Sequence, residues 1–432
     1  MTPAQALGYL DSLIELGIKV GLDHTRVLAE ALGDPQERFP SVLIGGTNGK
    51  GSTASFLAAV LKAAGYRTGL YTSPHLVDVT ERIQVRGEPI SLEELAQGLE
   101  RVRAASEAAM ESAAVEGFPT YFEALTLAAF DHFARAAVDA AVLEVGLGGR
   151  LDCTNVVRPR ACVVTNVGLD HEDLLGQGLP AIAREKAGIF RPRVPAYTAA
   201  RDPEVLDILG KEALKAGAWL HPLQECELAV RSDGWTLADG DSRLELPAPG
   251  LPGAHQIENA ALAVRCCWAL RDQGWQIPDE AIRSGIAGAR WPGRLEWIAP
   301  APDTYLDGAH NVEGCECLAR FVRTLPHTPK VLVFTAMKDK PLESMAGALF
   351  SSFDEVVATT LPLPRCLTGA EIALRLPRAG AKPVDDAAQA LAEARRTAGP
   401  SGLVVAAGSL YLVGYLKAVR LGGPSATWGS GL

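Results

Sequence analysis

Short apolar runs alternate with longer amphipathic stretches over most of this chain. Runs of strand length fall at Val42–Ile44, Thr68–Tyr71, Ala141–Val145, Cys162–Val167 and about Val194–Thr198. Between them apolar positions recur every three or four residues, as they do on helices packed against a sheet. Thr2 caps a first helix with Pro3 at its first position, and Leu7, Leu10, Leu13 and Ile14 share one face. A helix through Phe56, Leu57, Val60 and Leu61 stops at Gly65, and Ser91 with Glu94 forms a capping box for a long helix. Another helix runs from about Phe122 to Ala137. The alternation predicts an α/β fold with a parallel sheet.

From about Trp219 to Leu246 the pattern loosens into short apolar runs between Gly, Asp and Ser turns, which predicts a small β appendage. Helical spacing returns over Ile257–Leu270 and Glu280–Ala289, then breaks at Arg290-Trp291-Pro292-Gly293-Arg294. Beyond that break the alternation restarts, with strands expected at Thr304–Leu306, Val331–Phe334, Glu355–Thr359 and Leu403–Ala406. At 432 residues the chain exceeds what one core supports. Two doubly wound domains are therefore expected: one over 1–290, which the glycine-rich strand-to-helix turn and lysine at Gly45–Thr53 would make an N-terminal P-loop ATPase domain, and a smaller Rossmann-like domain over 291–432, hinged near 290–300. The Gly-, Ser- and Pro-containing tail from Gly422 is expected to fray.

Composition narrows the function classes. A formal net charge of −10 argues against non-specific binding to nucleic acid or anionic membrane. No apolar run approaches the length of about 20 residues that a membrane span needs. The first residues lack the basic start of a signal peptide. The eight cysteines include no C-x-x-C pair, so reduced, mostly buried thiols are expected rather than a structural zinc site. The expected location is the cytoplasm.

The chemistry collects at strand ends. Val42–Ile44 run into Gly45-Gly46-Thr47-Asn48-Gly49-Lys50-Gly51-Ser52-Thr53, a strand, glycine turn, lysine and helix start in the order of a phosphate cradle. Ile44 stands where the strict motif has its first glycine, and Gly51 separates Lys50 from Ser52. Ser73-Pro74-His75, Glu144 and Asp170-His171 also follow strands, and an open parallel sheet gathers ligands at its strands' carboxyl ends. Glu144, closing an apolar run, suits a Mg²⁺ ligand; its plainer reading is an ion pair with Arg150. His171 reads equally as a ligand or a structural histidine. Lys186 alone reads as a solvated helix lysine. Asp307-Gly308-Ala309-His310-Asn311 and Gly408-Ser409-Leu410-Tyr411 hold the same strand-end position in the second domain.

These segments, in this order, resemble the folylpolyglutamate synthase/dihydrofolate synthase branch of the Mur ligase family. The resemblance rests on Gly46–Ser52, Ser73-Pro74-His75-Leu76, Leu143–Asp152, Asp170-His171, Arg184–Phe190, Pro292-Gly293-Arg294 and Asp307–Asn311, and it covers nearly the whole chain. It implies a ligase that joins L-glutamate to dihydropteroate and to reduced folates with ATP, by way of an acyl phosphate. It further implies ATP binding by Thr47, Asn48, Gly49, Lys50, Gly51, Ser52, Asn259, Arg294 and Asp307. Two Mg²⁺ ions would use Ser52, Ser73, Glu144 and His171, and a monovalent cation is a further expected cofactor. Lys50, Lys186 and His310 take catalytic roles under the resemblance, Lys186 as a CO₂-carbamylated lysine and His310 near the transferred phosphoryl group. Thr120, Tyr121, Phe122, Glu123, Leu151, Asp152 and Cys153 resemble pterin-binding segments, with the loop near Ile18–Gly21 a further candidate, and Ser409 would help hold glutamate. The implied partners are small molecules only, and the implied state is a monomer.

Three other readings fit less well. A peptidoglycan-precursor ligase of the same family carries a whole domain ahead of the cradle, where 44 residues precede Gly45 here. An ATP-binding regulator would leave the Asp307/His310 cluster without a purpose. A dehydrogenase needs G-x-G-x-x-G in its first βα turn, and Lys50 follows the glycines instead.

Overall fold

The computed structural model describes residues 1–17, 19 and 21–422. Ile18, Val20 and the tail beyond Gly422 lie outside the described residues, and with them the expected fraying and part of the Ile18–Gly21 candidate.

The first sheet takes its strands from the first half of the chain: β1 (Ser41–Gly45), β2 (Thr68–Tyr71), β3 (Ile83–Val85), β4 (Glu88–Pro89), β5 (Ala140–Glu144), β6 (Pro159–Val164), β7 (Pro195–Thr198) and β8 (Trp219–Pro222). Their order is β4-β3-β2-β5-β1-β6-β7-β8, parallel from β2 to β8, with β3 and β4 added antiparallel at one edge. β1 thus sits between β5 and β6, where the winding changes direction and a crevice opens at the carboxyl ends. Alternation along each buried strand feeds two cores. Leu43, Leu143, Cys162 and Val164 face one helix layer, while Val42, Ile44, Val142 and Val163 face the other.

Trp219–Pro222 departs from expectation. The segment pairs in parallel with β7 as the edge of the main sheet, and the appendage proper is the antiparallel set β9 (Glu227–Val230), β10 (Gly234–Asp239) and β11 (Ser242–Pro247). Two polar strands were also absent from the sequence expectation. β3 and β4 form a hairpin turned by Arg86 and Gly87, both at positive φ.

The second sheet comprises β12 (Glu296–Ala299), β13 (Asp303–Leu306), β14 (Lys330–Phe334), β15 (Glu355–Thr360), β16 (Lys382–Asp386) and β17 (Leu403–Ala407). Its order is β12-β13-β17-β14-β15-β16, parallel except for β12. The edge strand β16 escapes sequence reading because Lys382, Pro383 and Asp385 carry the charge and proline that protect an edge.

Caps fall where the sequence put them. Thr2/Gln5 and Ser91/Glu94 are reciprocal capping boxes, and Gly65 takes φ +94 after the Lys50–Ala63 helix. Between the sheets, Trp291 packs on the first turn of that helix, where a Cβ at Gly51 would lie 2.7 Å from the indole nitrogen. Ser55 Oγ also donates to Arg290 O at 3.0 Å, so the 290–294 segment is anchored to the helix that begins at the cradle.

Candidate active site

A cavity of about 550 Å³ opens between the two sheets, at the carboxyl ends of β1, β5 and β6 on one side and β13, β14 and β17 on the other. Most of the expected site residues line it: Thr47, Asn48, Gly49, Lys50, Gly51, Ser73, Thr120, Phe122, Glu144, Leu151, Asp152, Cys153, His171, Lys186, Arg294, His310 and Ser409. Ser52, Tyr121, Glu123, Asn259 and Asp307 do not.

The cradle is built by backbone that only glycine allows. Gly46 has φ +139 and Gly49 φ +84. A Cβ at Gly46 would fall 1.8 Å from Thr165 Oγ1, and one at Gly49 would fall 2.4 Å from Asn259 Oδ1. Asn259 therefore abuts the cradle without lining the cavity. The loop after β6 fixes the turn. Thr165 Oγ1 donates to Asn48 O at 2.6 Å, Asn48 N donates to Asn166 Oδ1 at 2.8 Å, and Gly168 N donates to Thr47 Oγ1 at 2.9 Å. Lys50 Nζ curls back to Gly46 O and Thr47 O at 3.1 and 3.2 Å. Ser52 is buried in the first turn of the helix.

Glu144 is buried at the end of β5, and its Oε2 accepts from Ser73 N at 3.2 Å. Burial pushes its carboxyl above the usual range, opposed by Lys50 and by the Ser73 N–H. Arg150, the alternative partner, instead binds Glu185 at 2.7 Å. Among the described residues no three His, Cys, Asp or Glu side chains gather into a metal cluster. One carboxylate on the cavity wall, 3.2 Å from the Ser73 nitrogen, still fits a hard cation of the Mg²⁺ type, which takes the rest of its shell from hydroxyls, water and substrate phosphates. His171 sits on the exposed rim at φ +53, its Nε2 3.7 Å from Asp170 Oδ1.

Lys186 is not a solvated lysine. Its side chain is buried and Nζ donates to Gly46 O at 2.9 Å. Burial, reinforced by Lys50, drives its pKa from 10.5 down to about 7.

Across the cleft, Asp307 is buried and accepts from Leu295 N and Ala309 N at 2.8 and 2.9 Å. It thereby joins the connecting segment to the strand end that carries His310. His310 Nδ1 bonds Gly308 O at 2.8 Å, and desolvation by the surrounding chain holds the ring near pKa 4, neutral at ordinary pH. Ser409 caps the Leu410–Arg420 helix, accepting from Tyr411 N at 3.1 Å.

The pterin-like segments divide. Phe122 lines the cavity over Gly146, where a Cβ would meet its ring at 2.4 Å. Thr120 and Glu123 form a capping box, and Glu123 Oε1 also accepts from His24 Nδ1 and Thr25 Oγ1 at 2.9 and 3.0 Å. Asp152 spends its oxygens on Leu147 N, Thr154 N and Thr154 Oγ1. Tyr121 is buried beneath the Arg82 guanidinium, 5.3 Å from its ring centre.

Three basic cavity residues were not foreseen: Arg82, Lys340 and Arg365. Lys340 binds Asp170 at 2.7 Å; burial raises that carboxyl, but Lys340, His171 and His310 overcome it and hold it down at about 2. The strand-end rule would have flagged Lys338-Asp339-Lys340 after β14. Arg82, buried beside the hairpin with Nε 2.9 Å from His75 Nδ1, carries no comparable signal.

Residues 44–267 match the Mur ligase middle domain, and residues 293–410 match the Mur ligase glutamate ligase domain. The chain belongs to the Mur ligase family. Within that family it is 37% identical over 419 residues to the dihydrofolate synthase/folylpolyglutamate synthase of Escherichia coli, covering 96% of this chain and 95% of that one. This Mur ligase also superimposes on E. coli FolC in complex with DHPP and ADP, with a TM-score of 0.89 and 34% identity over 98% of each chain. The bifunctional folylpolyglutamate synthase/dihydrofolate synthase of Yersinia pestis, complexed with AMPPNP and Mn ion, matches with a TM-score of 0.87 and 32% identity over 98% of each chain. The Mur ligase assignment agrees with the resemblance read from the motifs. No helix among the described residues is long and apolar enough to cross a membrane, and all eight cysteines are free.

Proposed function

We propose that this Mur ligase is an ATP-dependent acid–amino-acid ligase of folate metabolism, joining L-glutamate to dihydropteroate and to reduced folates. The observation that carries this reading is the shared cavity. A phosphate cradle and Glu144 form one wall, and Arg294, neutral His310 and Ser409 form the other. A carboxylate oxygen of the acceptor attacks the γ-phosphorus of ATP, the bond to ADP breaks, and an acyl phosphate results. The glutamate amine then attacks the acyl carbon, phosphate departs, and the amine loses a proton. The cradle amides and Lys50 hold the phosphates, and Ser52, Ser73, Glu144 and His171 are the candidates to hold two Mg²⁺ ions. Bound Mg²⁺ would neutralise charge on the transferring group.

Lys186, low in pKa, is suited to react with CO₂ as a neutral amine. Asn259, Arg294 and Asp307 would orient the nucleotide, and His310, with Nε2 unprotonated, would sit at the phosphoryl group. Phe122, Leu151 and Cys153 offer apolar surface for a pterin ring, with Thr120, Tyr121, Glu123 and Asp152 shaping that wall. A monovalent cation, a monomeric state and a cytoplasmic location belong to the same reading, as does a domain boundary at 290/291 with closure about the 290–300 hinge to exclude water from the acyl phosphate.

The test is ADP release with Mg-ATP and L-glutamate, with product mass measured, using dihydropteroate in one reaction and tetrahydrofolate in another. ADP and a one-glutamate mass gain in both support the bifunctional ligase. Gain with tetrahydrofolate alone limits it to polyglutamylation. ATP binding without product in either would overturn the ligase reading.

A further inference from the structure

Asn48 lies at the tip of the cradle, and its side-chain amide is engaged at both ends by the second domain. Its Nδ2 donates to Glu313 Oε2 at 2.9 Å, and its Oδ1 accepts from Asn311 Nδ2 at 3.0 Å. Asn311 caps the Val312–Thr324 helix, accepting from Gly314 N at 2.9 Å, and Glu313 lies in that helix's first turn. The Glu313 carboxylate is seated on Gly168, where a Cβ would approach Oε1 to 2.3 Å. Gly168 in turn bonds Thr47 Oγ1 through both its N–H, at 2.9 Å, and its carbonyl, at 3.2 Å. Glu313 thus touches the cradle's tip and the loop behind it together, across 265 positions of sequence. Neither contact exists unless the two domains meet.

We propose that Glu313 is a positioning residue, a latch by which the second domain, on closing, locks the tip of the phosphate cradle in its working geometry. Gly168 is its seat: the absent side chain leaves room for the carboxylate. The role is geometric, so an uncharged acceptor of the same length should serve.

The inference rests on the ligase reading for its kinetic arm only. Glu313→Ala, Glu313→Gln, Gly168→Ala and the Gly168→Ala/Glu313→Ala double variant would be compared in the full chain for ADP formation, binding of a non-hydrolysable ATP analogue, melting temperature and amide exchange over 46–50. Glu313→Ala should lose kcat by about tenfold, the scale of one hydrogen bond to a charged group, whereas Glu313→Gln should stay within about threefold of wild type. Analogue binding should change by less than about threefold, because the latch forms on closure rather than on first encounter. Gly168 lies outside the left-handed region, and the three atoms nearest to an added Cβ all belong to the movable Glu313 carboxylate, so Gly168→Ala should reproduce the Glu313→Ala loss and add nothing to it in the double variant. Amide exchange over 46–50 should rise in the analogue complex of both single Ala variants. Unchanged kcat and exchange in Glu313→Ala, or additive losses in the double variant, would overturn the latch. A lower melting temperature alone, with kcat intact, would make Glu313 merely structural and also overturn it. If wild type forms no ADP with either acceptor, the ligase reading fails, and amide exchange still decides the latch.

Discussion

Lys186→Ala is the substitution that most directly tests the site chemistry. The Lys186 amine is buried against Gly46 O and lies at about 7 instead of 10.5, first through burial and then through Lys50. At about pH 7.5 such an amine is roughly three-quarters neutral, whereas an ordinary lysine is neutral in about one molecule in a thousand. Only the neutral amine adds to CO₂: its nitrogen bonds the carbon, a π pair moves to oxygen, and a proton leaves to solvent. The fold therefore raises the reactive fraction by several hundredfold, roughly, and the product is an anion beside the phosphate cradle. Losing one preorganised group of this kind costs about 10²–10³ in kcat, so Lys186→Ala should fall by about a hundredfold or more in ADP release with tetrahydrofolate and glutamate. Added bicarbonate should not restore it, and isotope-labelled bicarbonate should give wild type a carbamate carbonyl signal that the variant lacks. Near-normal turnover in Lys186→Ala would refute the reasoning. The same shift has a stability signature. The folded chain binds fewer protons than the unfolded one between about pH 7 and about pH 10.5, so wild-type stability in CO₂-free buffer should rise with pH across that window. Lys186→Met should flatten that rise in denaturant titrations.

Three more outcomes follow from the geometry. Gly51→Ala places a Cβ 2.7 Å from the Trp291 indole nitrogen, and this overpacking should cost about 1–3 kcal/mol in a denaturant titration and weaken ATP binding through the displaced helix start. Lys340→Met leaves the half-buried Asp170 without its amine; a loss of about 1–3 kcal/mol is expected at neutral pH, shrinking in acid as the Asp170 carboxyl protonates. That shrinkage follows because a carboxyl held at about 2 contributes stability above its ordinary range and loses it as pH falls through its folded value. Glu144→Gln should raise the Mg²⁺ concentration for half-maximal activity by at least about tenfold, and an unchanged Mg²⁺ titration would remove Glu144 from the metal site.

Much of the site was legible because parallel sheets place their chemistry at strand ends. Lys50, Glu144, His310 and Ser409 all follow buried apolar runs, and each lines the cavity. The partners that cross between domains were not legible. Lys340 meets Asp170 and Glu313 meets Asn48 at separations of 170 and 265 residues, and nothing local in the sequence records such a pairing. Thr120 and Glu123 show a different limit. A Thr-x-x-Glu spacing reads as a helix cap or as part of a substrate segment, and here Glu123 is spent on the cap, His24 and Thr25. The depressed Lys186 amine was equally hidden, because its burial depends on Gly46 and the loop packed over it rather than on its own helix.

The wide sequence separation of the two cavity walls has a consequence during synthesis. The cradle helix Lys50–Ala63 shares its core with Ala260–Leu270, Ile282, Ile286 and Ala289, so a growing chain completes the cradle's domain only at about Ala289, and His310 and Ser409 follow later still. Domains fold as units from the amino end, so the cradle side of the cavity is complete before Ser409 has been added to the opposite wall. The cavity therefore has both its walls only when nearly the whole chain has been made.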